Sequence, residues 1–346
     1  MPAAQRLPRY LRVTSQLRAA VLSGAFGDRL PPESELAVKY RISRMTLRRA
    51  VAALAEEGLL EARHGAGTFV REGAAQARTV ALLVAPDLAL HHEDLFHQAL
   101  MVSLMYACAT RGWMLRVAPS AADLVARLGA SRGAAVSGCI AIAFGARDHH
   151  LLESIPIPII GVDGEPLAGT TSVLPDNHGG TLAAMTRLIE LGHRRIAHLA
   201  GSADKLAGRE RLQTYRTAMA QAGLAVNESS IFQGRFLYED GYAAMQRWWL
   251  APERPTAVFC ANDMMAIGAA RWAVEHGVRL GYDVSLIGCD GLSITSLMWP
   301  SLSTLSLDFA AHADNVLDAV ADTEIGGIRR TPLRLLERDS TGPLRQ

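Results

Sequence analysis

Lysine is almost missing from this chain: Lys39 and Lys205 are the lysines among 35 Lys+Arg in 346 residues. Arginine therefore carries nearly all the positive charge, and a reaction that runs through a Schiff-base lysine late in a strand has no residue to use. Cysteine is scarce as well. Cys108, Cys139, Cys260 and Cys289 are far apart, lie in apolar segments and form no C-x-x-C pair. That excludes a zinc-type spacing or a disulfide framework and reads as small core residues in a reducing compartment. No apolar run approaches the roughly 18 residues of a membrane span. The basic N-terminal stretch with Arg6, Arg9 and Arg12 lacks the apolar segment of a secretion signal, so a soluble, cytoplasmic protein without membrane contact is expected. No G-x-S-x-G, P-loop or post-strand G-x-G-x-x-G occurs, so no enzyme and no cofactor is expected. His91-His92-Glu93-Asp94 and Asp148-His149-His150 have neither helical i, i+4 spacing nor a closed ligand set, and read as solvated loops with no metal.

What is present is a globular composition, 49% hydrophobic and 20% charged, long enough for two or three compact units. The net charge of +1 conceals an uneven distribution: residues 1–75 hold 12 Lys+Arg against 7 Asp+Glu, and the remainder 23 against 27. A small basic head on a mildly acidic body suits contact with a polyanion at one end only.

Within the head, Leu11, Val13, Leu17, Val21 and Leu22 recur near a 3.6 period and predict a first helix over 10–23, stopped by Gly24 and Gly27. Pro31-Pro32 followed by Glu33 and Glu35 predicts a short second helix to about Tyr40, with acidic residues at its positive end. Ser43 is a suitable N-cap for a third helix over 44–57, whose core stripe is Leu47, Ala50, Val51 and Leu54. With that stripe inward, Met45, Arg48 and Arg49 face out, flanked by Arg44 and Thr46. Residues 59–63 and 67–70 read as two strands joined by His64-Gly65-Ala66. In this order and spacing, G-x-x-x-x-x-L-P-x-E-x-E-L-A, S-R-x-T-x-R-R-A and G-L-L-x-x-R-x-G-x-G-T-F-V resemble the GntR family of bacterial regulators. The resemblance implies a winged helix-turn-helix over 1–72 that binds double-stranded operator DNA. Arg44, Met45, Thr46, Arg48 and Arg49 would meet the major groove, and His64 and Gly65 would sit at the wing tip. Ser34 stands where many members carry an arginine that also contacts DNA.

Residues 73–78 read as a linker. Beyond it, short β-rich runs alternate with longer helical stretches, which predicts α/β lobes with parallel sheets over 79–340. The segments V-L-P-D-N-x-x-G from Val173, L-I-E-L-G-H-R-R-I from Leu188, R-P-T-A-V-F-C-A-N-D from Arg254 and D-V-S-L-I-G-C-D from Asp283 resemble the effector domain of the lactose- and galactose-repressor family, related to periplasmic sugar-binding proteins. A GntR-type head on such a body resembles the arrangement of arabinose-responsive repressors. The resemblance implies a small polar effector, a sugar, closing two lobes of a homodimeric repressor, with Arg211, Phe236, Asn262 and Asp290 at the ligand. The segment after the first strand adds Asp87, His91 and Asp94, while Asp176 holds the crossover. A purine or nucleoside effector, and corepression in place of induction, stay open. Asn262 also qualifies as the N-cap of the helix that follows it. Gly291, Thr214 and Leu307 depart from the family pattern.

Overall fold

The computed structural model describes residues 9–22, 25–56, 58–63, 67–71, 78–89, 94–130, 136–322 and 326–345. The chain divides into two compact units, one of residues up to 174 with 310–329, the other of 175–309 with 330–346.

The head begins the first unit with α1 (Arg9–Leu22), α2 (Glu33–Lys39) and α3 (Arg44–Glu56). Leu17, Val21, Leu36, Leu47, Leu54 and Leu60 form its core, the side of each helix that the apolar periodicity marks. Ser43 caps α3 as expected, its Oγ accepting the Thr46 N–H at 3.2 Å. Gly58, at φ +75°, ends the helix where the Leu59 N–H returns to the Leu54 carbonyl. The antiparallel pair β1 (Leu60–Arg63) and β2 (Gly67–Val70) follows in the register Leu60↔Val70. A third segment joins it: the Leu30 N–H donates to Thr68 O and the Val70 N–H to Asp28 O, both at 3.0 Å.

The first lobe runs β3 (Thr79–Val84), α4 (Pro86–Ala89), α5 (Leu95–Thr110), β4 (Met114–Val117), α6 (Ala121–Ala130), β5 (Val136–Ile142), α7 (His149–Leu152), β6 (Ile159–Val162) and β7 (Thr171–Pro175). Buried apolar runs in β3 and β5 are what a parallel sheet covered on both faces demands. Arg78 departs from its reading as linker. Its side chain is buried with the guanidinium over the Trp113 ring at 4.7 Å, and burial lowers its pKa to about 10, with Arg111 adding repulsion.

The second unit contains α8 (Asn177–Glu190), β8 (Ile196–Ala200), α9 (Leu206–Gln221), β9 (Ile231–Gln233), α10 (Tyr238–Trp249), β10 (Ala257–Cys260), α11 (Asp263–Glu275), β11 (Ser285–Asp290), α12 (Ile294–Leu297) and β12 (Ser303–Leu307). The chain then returns to the first unit with α13 (Phe309–Ala321) and β13 (Gly327–Thr331), and closes the second with β14 (Leu333–Leu336). The two six-stranded sheets have the orders β13-β7-β6-β5-β3-β4 and β14-β12-β11-β10-β8-β9. β14 pairs antiparallel with β12, while β8 to β12 pair in parallel. In each sheet the first strand has its successor on one side and the third strand on the other, so each has a switch point beside β3 or β8. Crevices at the carboxyl ends of strands on either side of such a point are where open α/β sheets hold ligands.

Candidate functional site

On the head, the buried stripe of α3 turns Arg44, Met45, Arg48 and Arg49 outward as predicted, and Ser34 is exposed on α2. Arg48 is not idle: its Nε pairs with Glu33 Oε2 at 2.9 Å, with 66% of the Arg48 side chain exposed. Arg49 lies over the Tyr10 ring at 5.4 Å. His64 and Gly65 lie outside the described residues, but the strands leading to them show what residue-by-residue reading missed. Arg63 and Arg29 both lie over the Phe69 ring, at 4.7 and 5.6 Å. A wing carrying two guanidinium groups on one aromatic ring is a second cationic surface beside α3. Its signal, the pairing of residues 28–30 with β2, is not local in sequence.

In the second unit, the switch point collects the expected residues. Gly201 follows β8 and leaves room for the Phe236 ring, since a Cβ there would overlap the ring. Phe236 adopts φ +69°, and its carbonyl accepts from Asn262 Nδ2 at 3.0 Å. The other end of the Asn262 amide caps α11, its Oδ1 accepting the Met265 N–H at 2.9 Å, so the capping role holds. Arg211, 4% exposed, comes from α9 and donates through Nε to Asn177 Oδ1 at 3.0 Å and through Nη1 to the Ala261 carbonyl. Asp290 ends β11, buried, at φ +134°. These four residues thus gather around the ends of β8, β10 and β11.

Asp263 was not singled out in sequence and is fully buried beside them. Its Oδ1 accepts from Thr304 Oγ1 at 2.6 Å and its Oδ2 from the Leu292 N–H at 2.8 Å, which ties down the turn after Asp290. Burial pushes this carboxyl up to about 6 against those hydrogen bonds.

Residues 9–70 match the family of bacterial regulatory proteins named gntR, and residues 185–341 match the periplasmic binding protein-like domain. Along the chain, a gntR-like stretch thus precedes a periplasmic-binding-protein-like one. The HTH-type transcriptional repressor PurR of Escherichia coli is 39% identical over 200 residues, 55% of this chain and 58% of PurR. PurR of Haemophilus influenzae is 36% identical over 164 residues, 46% of this chain and 49% of that one. The chain thus spans about half the length of these curated relatives. Among solved structures, the transcriptional regulator CelR in complex with cellobiose is 27% identical with a TM-score of 0.63, over 95% of this chain and 99% of its own. A LacI transcriptional regulator from a Rhodococcus species is 26% identical with a TM-score of 0.65, covering 77% of this chain and 99% of that one.

The departures of the periplasmic-binding-protein-like body have physical reasons. Gly291 sits at φ +75° with Ser306 where a Cβ would be, so no acid or amide fits there. Thr214 donates to the Glu210 carbonyl at 2.8 Å and lies 3.1 Å from His178 Nδ1. Leu307 is buried at the end of β12. Asp176 is at the crossover, capping α8 through the Gly179 N–H and donating its own N–H to Thr331 O at 2.8 Å.

In the first lobe of this body, Asp87 is exposed on α4 directly after β3, and His91 lies outside the described residues. Asp94 caps α5 through the His97 N–H at 3.0 Å. Each of its carboxylate oxygens is thereby committed, because His97 also places Nδ1 2.8 Å from Asp94 Oδ2 and Nε2 2.8 Å from Asp163 Oδ2. Burial opposes a charge on His97, but hydrogen bonds to Asp163 and Asp94 outweigh it and raise the pKa to about 10, leaving an imidazolium clamped between two acids. Neither His97 nor Asp163 stood out in sequence. Among the described residues there is no cluster of three metal-ligating side chains and no helix long and apolar enough to cross a membrane.

Proposed function

We propose that this chain is a cytoplasmic DNA-binding transcription regulator, a repressor, whose hold on operator DNA is controlled by a small sugar-like effector. The observation that carries the reading is the gathering of Arg211, Phe236, Asn262 and Asp290 at the switch point of the second sheet, in a chain whose head turns Arg44 and Arg48 outward on one helix. Forked guanidinium donors, a carboxylate acceptor and one flat ring are the wall that vicinal hydroxyls require. The cellobiose held by CelR, whose structure covers nearly the whole chain, supports a saccharide. On the head, Ser34, Arg44, Met45, Thr46, Arg48 and Arg49 would face the major groove, with His64 and Gly65 at the wing tip. Asp87, His91 and Asp94 would be effector residues of the first lobe, Asp94 by positioning His97 rather than by accepting from the effector directly. Effector uptake would shift the equilibrium by its differential affinity for the DNA-bound and released states.

A homodimer is part of this reading. Helix α5 buries Leu100 and Leu104 on one side yet exposes Val102, Met105 and Tyr106 on the other, and the adjoining edge strand β4 exposes Met114 and Val117. An apolar face of that kind on a helix and the strand beside it fits a second copy of the chain.

A thermal-shift screen of the purified chain against mono- and disaccharides, sugar phosphates, purines and nucleosides tests the effector. A ligand bound by the folded state raises Tm. A rise with saccharides that disappears in Asp290→Ala supports the reading; a rise confined to purines replaces the sugar with a base, and none across the panel overturns it.

A further inference from the structure

The chain passes between its units at Leu174/Pro175, Phe309/Ala310 and Arg329/Arg330. Two of these crossings are joined by one side chain: Arg330 donates through Nη1 to the Pro175 carbonyl at 3.1 Å. The same guanidinium grips Glu210 with both forks, Nη2 to Oε1 at 2.6 Å and Nη1 to Oε2 at 2.9 Å. Glu210 Oε2 also accepts from Asn177 Nδ2 at 2.8 Å, and Asn177 Oδ1 accepts from Arg211 Nε at 3.0 Å. Every link lies in the second unit, and the links are continuous from the crossings to the arginine of the candidate effector site.

The order of donors and acceptors makes this series directional. An amide can turn either way unless its neighbours are of one kind. A carboxylate accepts only, so Glu210 obliges Asn177 to present its NH2 group to it. The Asn177 carbonyl is then left for Arg211, which donates only. Burial opposes the Glu210 charge, but the bonds from Arg330 and Asn177 hold its pKa below the usual carboxylate range. The ionised acid that fixes the amide is therefore present at neutral pH.

We propose that Arg330, Glu210 and Asn177 are positioning residues that tie the orientation of the Arg211 guanidinium to the chain crossings, so that a change at the crossings is felt at the effector and the reverse. The proposal rests on Arg211 as an effector-reading residue for its functional meaning, but not for its geometry. A linked series of contacts is a pathway only if coupling is measured across it, and the experiment therefore has two readouts on the full chain. The first needs no ligand: solvent exchange of the Arg211 Nε–H by NMR, the resonance being assigned by its loss in Arg211→Lys. Arg330→Met and Glu210→Gln should each speed this exchange by about tenfold or more, the factor expected for roughly 1.4 kcal/mol of lost ordering. Arg216→Met, which removes from the same helix the arginine that pairs with Glu228 beyond its end, should not. The second readout is calorimetric binding of cellobiose, with Kd about tenfold weaker in Arg330→Met and affinity for a duplex selected by the full chain from a random pool unchanged without ligand. Exchange at Arg211 that stays within about twofold of wild type in both variants overturns the relay. Absence of cellobiose binding by the wild type counts against the saccharide reading instead, and leaves the exchange result to decide the relay.

Discussion

Arg48 keeps 66% of its side chain in solvent and makes one surface ion pair with Glu33, whereas Arg211 is 4% exposed and donates to Asn177 and the Ala261 carbonyl. The two regions solve opposite problems. A polyanion, the partner proposed for the head, would bring many contacts at once, so cations left hydrated in exposed pairs worth about 0–1 kcal/mol would be readily exchanged for phosphate. A small effector brings few contacts, so the groups that meet it must be fixed beforehand. Affinity and fold are therefore separable in the head and entangled in the second unit.

The largest effect that would break this comparison is on Arg211. Arg211→Met strands the Asn177 and Ala261 oxygens and should lower the unfolding free energy by about 2–4 kcal/mol, read by urea titration. A loss below about 1 kcal/mol would place Arg211 among the dispensable surface arginines. Next comes His97, which asks whether the first lobe is preorganised in the same way. Its pKa is raised to about 10 in the fold, above the ordinary histidine value of 6.5. Its contribution is thus complete below pH 6.5 and fades as pH climbs through 10. Unfolding midpoints across pH 6 to 10 should fall in wild type and flatten in His97→Gln; equal slopes would deny the clamp. A smaller effect belongs to the head. Arg48→Ala should weaken binding to the selected duplex by about tenfold and lower the salt slope by about 1, while unfolding free energy moves less than about 0.5 kcal/mol. The smallest is the reverse change: Glu33→Gln frees Arg48 and should tighten duplex binding by about twofold, which fluorescence anisotropy resolves.

The same contrast governs what could be read from the sequence. The head was legible nearly throughout, because helices with their caps and a hairpin are local patterns: Ser43, the Leu47–Leu54 stripe and Gly58 each lie within a turn of what they determine. In the body the alternation of strands and helices was plain as far as β11 apart from β7, β9 and the short helices α4 and α7, and Arg211, Phe236, Asn262 and Asp290 do gather at one switch point. The last part was not legible. β12 reads Ser-Thr-Leu-Ser-Leu, half polar, yet Ser303 and Thr304 are buried because Arg338 and Asp263 supply their partners from far away in sequence. β7 contains Thr171, Ser172 and Pro175 and hides for a similar reason. Asp263, Glu210 and Arg330 in the second unit, and His97 and Asp163 in the first lobe, are ordinary titratable residues in the sequence until folding brings each to its partner, up to 120 positions away for Glu210 and Arg330. Helix α9 begins at Leu206, and the run Arg209-Glu210-Arg211 early in it interrupts the apolar periodicity that would mark its start.

The three passages of the chain between its units have a consequence for synthesis. One outer strand of each six-stranded sheet, β13 in one and β14 in the other, comes from residues 327–336. Neither sheet can be finished until those residues have left the ribosome, whereas the head, complete by residue 70, can fold while the rest is being translated. The nascent protein thus completes its head early and both halves of its body together at the end, with closure of the long loops between β7 and β13 and between β12 and β14 as the slow steps.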